Sequence, residues 1–278
     1  MAKLSVRDLN VSGKRVFMRV DYNVPMEEKD GKMVINDTTR IKETLPTLKL
    51  LLGNGARLVL AAHLGRPDGR REPSMSLAPV AAKLSEMLGQ PVGFTDTCVG
   101  PQAEAAVAAL ANGQALLLEN VRYHAEEENN DPVFAAQLAR LADIYVNDAF
   151  GTCHNDKDAS MVAVPMRMKN NGKPRAVGLL VAKELQIIDG LMGNPKKPVL
   201  AVMGGAKVSD KIAVVEALLP AVVAGRVRVV AADVPSGLHP DTGEADAAVL
   251  PAHVTVTFGA VKAGLPADAR IGRAPHAP

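Results

Sequence analysis

Tryptophan is absent from this chain of 278 residues, and aromatic residues make up only 3% of it. So few aromatic rings give little platform for stacking bases, which disfavours single-stranded nucleic acid as a partner. Neither sign of charge is in excess: 32 Lys and Arg against 30 Asp and Glu leave a formal charge of +2. A balanced chain projects no global basic field toward nucleic acid or a membrane surface, so any anion site must be local. Cysteine is scarce as well. Cys98 and Cys153 are the only two, too few for a disulfide scaffold or a metal knuckle, so both are expected as thiols in a reducing compartment and no metal site is expected. No apolar run reaches the roughly 18 residues of a membrane span, and the opening MAKLSVRDLN lacks the apolar core of a secretory signal. These absences predict a soluble, cytoplasmic protein with neither nucleic acid nor membrane among its partners.

What is present is a 47% apolar composition in a chain comfortable for two domains. Short β-branched runs at 15–20, 57–62, 115–118, 144–146 and 199–203 read as buried strands. Between them, Ile41, Leu45, Leu48 and Leu52, then Leu77, Val80, Leu84 and Leu88, recur at helical spacing, so each segment presents one apolar face. Strands alternating with helices predict an α/β fold with a wound parallel sheet. Polar motifs stand where the strands end: Asp21-Tyr22-Asn23, residues 63–66, 119–122 and 147–151. In open α/β sheets ligands gather there, because connecting loops and helix N-termini converge. A polar, turn-rich stretch at 169–174 precedes a helix-like segment at 179–192 suited to connecting two lobes.

Arg40, His63, Arg66 and Arg122 all fall at or beside these strand-to-helix junctions, with Asp21 and Asn23 adding an acceptor and an amide. Several cationic donors converging on one place suit a small phosphorylated acid, which a single Lys or Arg holds only weakly in water. Singly, each has an ordinary structural alternative. Arg40 reads equally as a solvated helix-start residue, His63 as a satisfied buried histidine, and Arg122 as a surface ion-pair partner.

The surrounding motifs occur in a fixed order: RVDYNVP at 19–25, DTTRI at 37–41, HLGRP at 63–67, LLENVRY at 117–123, NDAFGT at 147–152 and GGAKVSDKI at 204–212. Together they resemble phosphoglycerate kinase. The resemblance implies a two-lobed, monomeric kinase moving a phosphoryl group reversibly between MgATP and the carboxylate of 3-phosphoglycerate. It implies triose contacts from Asp21, Asn23, Arg40, His63, Arg66 and Arg122, with Arg40 also acting on the phosphoryl group in flight. Lys207 and Lys211, following Gly204 and Gly205, match lysines that approach the phosphates of ATP or ADP with its Mg²⁺. The turn Gly204-Gly205 is not a P-loop, and alone it is weak evidence for a nucleotide.

Two departures stand out. After Gly151-Thr152 the chain is one residue longer than the family pattern and carries Asn155 where an arginine is expected; Lys157 is the nearest substitute, flanked by Asp156 and Asp158. From about residue 221 the kinase pattern stops, and residues 229–266 resemble the C-terminal part of NAD(P)H-hydrate epimerase. That resemblance implies roles for Asp233 and Ser236 of the DVPSG motif, although Asp-Val-Pro-Ser-Gly also reads as a strand-ending turn. The expected organisation is a triose-binding lobe over 1–175, a connecting helix and the first strand and helix of a nucleotide lobe over 176–220, and an epimerase-like segment over 221–278. The second lobe is expected to be small and incomplete. A kinase of doubtful completeness and a non-catalytic 3-phosphoglycerate-binding fragment are both consistent with this pattern.

Overall fold

The computed structural model describes residues 4–193, 230–232 and 254–256. The chain divides into two compact units, Met1–Lys197 and Pro198–Pro278. The first is built around β1 (Arg15–Val20). Its sequence RVFMRV is apolar at four of its six positions, and all but Arg15 are buried because both faces of the strand are covered. Val16, Met18 and Val20 face one core, and Phe17 faces the other, the period-2 alternation of a strand.

From β1 the chain makes a polar antiparallel hairpin, β2 (Met26–Lys29) and β3 (Lys32–Ile35), and then α1 (Thr39–Gly53). It continues through β4 (Arg57–Ala61), α2 (Ala78–Leu88), β5 (Val92–Thr95), α3 (Pro101–Ala108) and β6 (Ala115–Leu118). The short α4 (Ala125–Glu128) and α5 (Pro132–Arg140) lead to β7 (Ile144–Asp148), α6 (Ala163–Asn170), β8 (Arg175–Val177) and α7 (Leu179–Gly193). Local signals set several of these starts. Asp131 accepts hydrogen bonds from the amides of Val133 and Phe134, both at 2.8 Å, and Pro132 opens the helix, so α5 begins with a side-chain cap and a preset φ.

The six strands order as β5-β6-β4-β1-β7-β8, every pair parallel. One face of the sheet packs on α1 and α2 through Ile41, Leu48, Leu51, Val80 and Leu84. The other packs on α3, α5 and α6 through Val107, Phe134, Leu138, Val164 and Met168. The expected wound parallel sheet is therefore present, with strands β5 and β8 and the hairpin added to those the apolar runs mark. Because β8 belongs to the same sheet, the polar stretch at 169–174 turns the chain within the first unit. In the second unit the described residues are β9 (Val230–Ala232) and β10 (Val254–Val256), a parallel pair with Val254 opposite Val230. The expected strand at 199–203 lies outside the described residues.

Connection order matters for the site. From β1 the chain winds to β4, β5 and β6 on one side, then crosses to β7 and β8 on the other. The sheet thus changes winding direction at β1, and the loops after β1, β4, β6 and β7 open around that switch point.

The start of α7 is pressed against the end of β7. Asp148 Oδ1 accepts from the amides of Leu180 (3.0 Å) and Val181 (3.3 Å), satisfying donors that a helix N-terminus leaves open. A Cβ on Gly178 would lie 2.2 Å from Asp148 Cγ, a distance no side chain tolerates. Gly178→Ala is therefore expected to destabilise the protein by about 1–3 kcal/mol. Gly190→Ala, later in the same helix with nothing within 4 Å of its Cβ, is expected to stabilise it by about 0.5–1 kcal/mol. Urea unfolding of both variants checks the pair, and equal effects of one sign would refute the close approach.

Candidate functional site

The loop after β1 supplies Asp21, whose carboxylate forms a short ion pair with Arg40 in the first turn of α1. Asp21 is almost fully buried, whereas the Arg40 side chain is 48% exposed, so the pair fixes the root of a guanidinium that still faces solvent. The Asn23 amide donates to Asp21 Oδ1 at 3.2 Å, and Asn23 Oδ1 accepts from the Gly65 amide at 2.9 Å. This ties the β1 loop to the loop after β4. The turn after β7 closes on the same place: a Cβ on Gly151 would sit 2.5 Å from Asp21 Oδ2, so only glycine allows the NDAFGT segment to approach.

Glu119 and Asn120, at the end of β6, hold the remaining loops together. Asn120 accepts from the amides of Leu64 (3.2 Å) and Arg122 (3.1 Å), and it donates to the carbonyls of Leu64 (2.7 Å) and Met75 (3.0 Å). Glu119 accepts from Ser76 Oγ and from the amides of Leu77 and Asn120, each at 2.8 Å. Both side chains are buried and saturated by these bonds, which makes them supports for the site and not its contacts.

His63 is 4% exposed. Burial, and after it the charges of Arg19, Arg122 and Arg40, push its pKa down to about 2, so the imidazole is neutral. Arg122 is held from three sides. Nη2 meets Asp158 Oδ2 at 3.3 Å, Nε lies 3.4 Å from Glu128 Oε1, and Nη1 donates to the Gly65 carbonyl at 3.5 Å. Asp158 reaches Arg122 because Asn155 folds the added residue into a turn, its Oδ1 accepting from the amides of Lys157 (2.9 Å) and Asp158 (3.2 Å). Where the family pattern has an arginine, this chain therefore places a turn residue that brings in a carboxylate. Arg66 is exposed, and among the described residues its guanidinium makes no ion pair.

Asp21, Asn23, Arg40 and Arg122 are thus linked through short contacts, directly or by way of Gly65; His63 feels the charges of Arg122 and Arg40, and Arg66 stands on the same loop as His63. The ordinary alternatives hold in part: His63 does have an internal partner, and Arg122 is ion-paired. The residue that strand-end reasoning passed over is Arg19, fully buried on β1, where its Nη2 lies 3.1 Å from His63 Nδ1. Gly204, Gly205, Lys207, Lys211, Asp233 and Ser236 lie outside the described residues. Among the described residues no group of three or more His, Cys, Asp or Glu could hold a metal ion, and no helix is long and apolar enough to cross a membrane.

Fold and site together define an α/β lobe with arginines and a buried neutral histidine gathered at the switch point of a parallel sheet. The chain matches the family model for phosphoglycerate kinase over residues 6–229, and it belongs to that family. Over 225 residues it is 52% identical to a phosphoglycerate kinase of Koribacter versatilis, covering 79% of this chain and 54% of that protein. It is 51% identical over 220 residues to a chloroplastic phosphoglycerate kinase of Chlamydomonas reinhardtii, covering 78% of this chain and 46% of that one. Among solved structures, phosphoglycerate kinase from Coxiella burnetii superposes with a TM-score of 0.67 at 38% identity, covering 79% of this chain and 52% of the other. The enzyme from Pyrococcus horikoshii gives 0.68 at 33% identity, with 81% and 54% covered. The chain spans about half the length of the curated relatives it matches.

Asp148 gives the site's edge a pH dependence. It is buried, its Oδ2 has no hydrogen-bond partner among the described residues, and burial raises its pKa to about 6. A carboxylate whose folded pKa exceeds its unfolded one stabilises the fold most below the unfolded value of about 3.9, and that contribution is lost as pH rises through 6. Asp148→Asn, which cannot ionise, is therefore expected to gain stability relative to the parent by about 1–3 kcal/mol between about pH 4 and pH 7.5. Denaturant unfolding at the two pH values measures this, and a constant difference would contradict it.

Proposed function

We propose that the first unit binds 3-phosphoglycerate at the switch-point cluster and presents its carboxylate for reversible phosphoryl transfer with MgATP. The observation that carries this is the convergence of Arg40, His63, Arg66 and Arg122 on loops that Asp21, Asn23 and Asn120 hold in register. A ligand bearing a phosphate and a carboxylate at opposite ends suits donors spread around one crevice. Arg40 and Arg66 keep exposed guanidiniums for its two anionic ends, and His63 offers a neutral donor between them. Arg40, anchored by Asp21 at the start of α1, is also the group suited to stabilising charge on the phosphoryl group during transfer. The acceptor carboxylate is already ionised at neutral pH, so no general base is needed, and alignment with surrounding cations supplies the catalysis. Lys207 and Lys211, with the Gly204-Gly205 turn, are assigned to the phosphates of ATP or ADP on the strength of the family motif.

Binding and turnover separate here, because this chain spans about half of its relatives. Calorimetric titration with 3-phosphoglycerate tests the first, and coupled turnover with MgATP, using Arg40→Ala as the control, tests the second. Binding without turnover identifies a triose-binding lobe. Turnover lost in Arg40→Ala identifies a working kinase. Potassium-dependent epimerisation of hydrated NADH is expected to be absent, the tail's resemblance covering only residues 229–266.

Arg66→Ala is expected to weaken 3-phosphoglycerate binding by about 1.5–3 kcal/mol, the range for a hydrogen bond to a charged group. Unchanged affinity would remove Arg66 from the site. Asp158→Asn, which deletes the negative charge beside Arg122 while keeping its shape, is expected to tighten binding by about 1 kcal/mol. Weaker binding in that variant would show that Asp158 serves the site by orienting Arg122.

A further inference from the structure

We propose that Arg19 is a positioning residue for this site: its guanidinium holds His63 as the tautomer protonated on Nε2, so that the imidazole offers the ligand a donor and never an acceptor. The proposal goes beyond the assignment of His63 as a contact, and it rests on the proposed function only in naming 3-phosphoglycerate as the ligand.

The inference starts from what a guanidinium can do. It carries five N–H donors, no acceptor, and a charge it does not lose. Arg19 is completely buried, and each of its nitrogens is spoken for. Nε donates to Ser160 Oγ at 2.8 Å, Nη1 donates to the Val20 carbonyl at 2.5 Å, and Nη2 meets His63 Nδ1 at 3.1 Å. Between a group that only donates and an imidazole nitrogen, the nitrogen must accept. Nδ1 is therefore unprotonated. A neutral imidazole keeps its one proton on the other nitrogen, so Nε2 bears it.

The far side of Arg19 fixes the direction of the chain of bonds. Since Ser160 Oγ accepts from Arg19, its own proton goes to Glu127 Oε1, while the Ser160 amide donates to Oε2 at 2.9 Å. Glu127 is buried too; burial raises its pKa, while the Arg19 charge and the two hydrogen bonds from Ser160 favour its carboxylate as the counter-charge. Every donor in the series from His63 through Arg19 and Ser160 to Glu127 points away from the imidazole's Nδ1, or into it from Arg19. No alternative protonation of His63 satisfies all of these bonds. The opposite edge of the ring is available: among the described residues Nε2 has no hydrogen-bond partner, and it is not one of the sealed, unpartnered atoms. Burial and three surrounding arginines keep the second proton off the ring. With the other tautomer, the Nε2 lone pair would face an anionic oxygen and repel it.

The test uses the full chain with ¹⁵N-labelled histidine, His63 being assigned by His63→Gln. In the unliganded parent protein, long-range ¹H–¹⁵N spectra are expected to show His63 as the single Nε2–H tautomer from about pH 5.5 to 8. A proton on Nδ1, or a titrating imidazolium, would overturn the proposal. Arg19→Met is expected to let the Nδ1–H tautomer appear and to weaken 3-phosphoglycerate binding about tenfold, whereas Arg19→Lys, which keeps a donor-only cation, is expected to restore the single tautomer. An unchanged Nε2–H tautomer in folded Arg19→Met would also overturn it. If Arg19→Met fails to fold, the parent spectra and Arg19→Lys still decide. Failure of the functional assignment looks different: 3-phosphoglycerate would leave the His63 signals unmoved while the tautomer remained as proposed.

Discussion

Burying the Arg19 charge in the middle of the sheet's central strand is the constraint around which the first unit is arranged. An ion taken out of water costs several kcal/mol unless it is paired and hydrogen-bonded, and among the described residues no carboxylate touches this one directly. Compensation arrives from Glu127 of α4 through Ser160, a residue 141 positions along the chain from Arg19. Ser160 is in turn held by Tyr145 on β7, whose hydroxyl donates to its carbonyl at 2.9 Å and whose ring stacks on Phe17 with centroids 6.0 Å apart. The polar network and the aromatic contact lie on the same face of β1. Apolar packing against α5 and α6 therefore also seats the ion.

Around this buried charge, the cations of the site are partly neutralised by the protein itself. Asp21 sits against Arg40, and Asp158 and Glu128 sit against Arg122. A chain with a net charge of only +2 thus keeps several guanidiniums close together without strong mutual repulsion. In the proposed function the ligand's anionic groups become further partners for side chains already held in place, which lowers the entropy lost on binding. The cost is competition: internal carboxylates share the donors that the ligand needs, most clearly at Arg122.

Much of this was legible in the sequence, for physical reasons that also explain what was missed. Strands β1, β4, β6 and β7 announce themselves because a strand covered on both faces must be continuously apolar. Strand β5 contains Gly93 in a run of four, β8 is three residues at the sheet's edge, and the hairpin is polar, so none of them carries that signal. Asp21, Asn23, His63 and Arg66 were singled out by their position after strands, and Arg40 by its place at a helix start within its motif. Arg19 was not, because one arginine in an apolar run reads as a solvent-facing position. The available signal was its register on the same face as Phe17, which in a doubly covered strand demands an internal partner. Asn155 was visible as a missing arginine, but the ion pair between Asp158 and Arg122 depends on a turn that sequence spacing does not reveal.

The distance along the chain between Arg19 and Ser160, which connects it to Glu127, has a consequence for biosynthesis. At a ribosome's pace of about 5–20 residues per second, the 141 residues between Arg19 and Ser160 take roughly 7 to 28 s to make. Strand β1 is the first strand synthesised, yet its neighbour β7 comes from residues Ile144–Asp148. Throughout that interval Arg19 must remain hydrated, which keeps the central strand from being buried early. The nascent chain therefore adds β7 and β8 beside β1 only after β4, β5 and β6 have been made, a route of long-range pairing in which seating Arg19 and completing the sheet come late together.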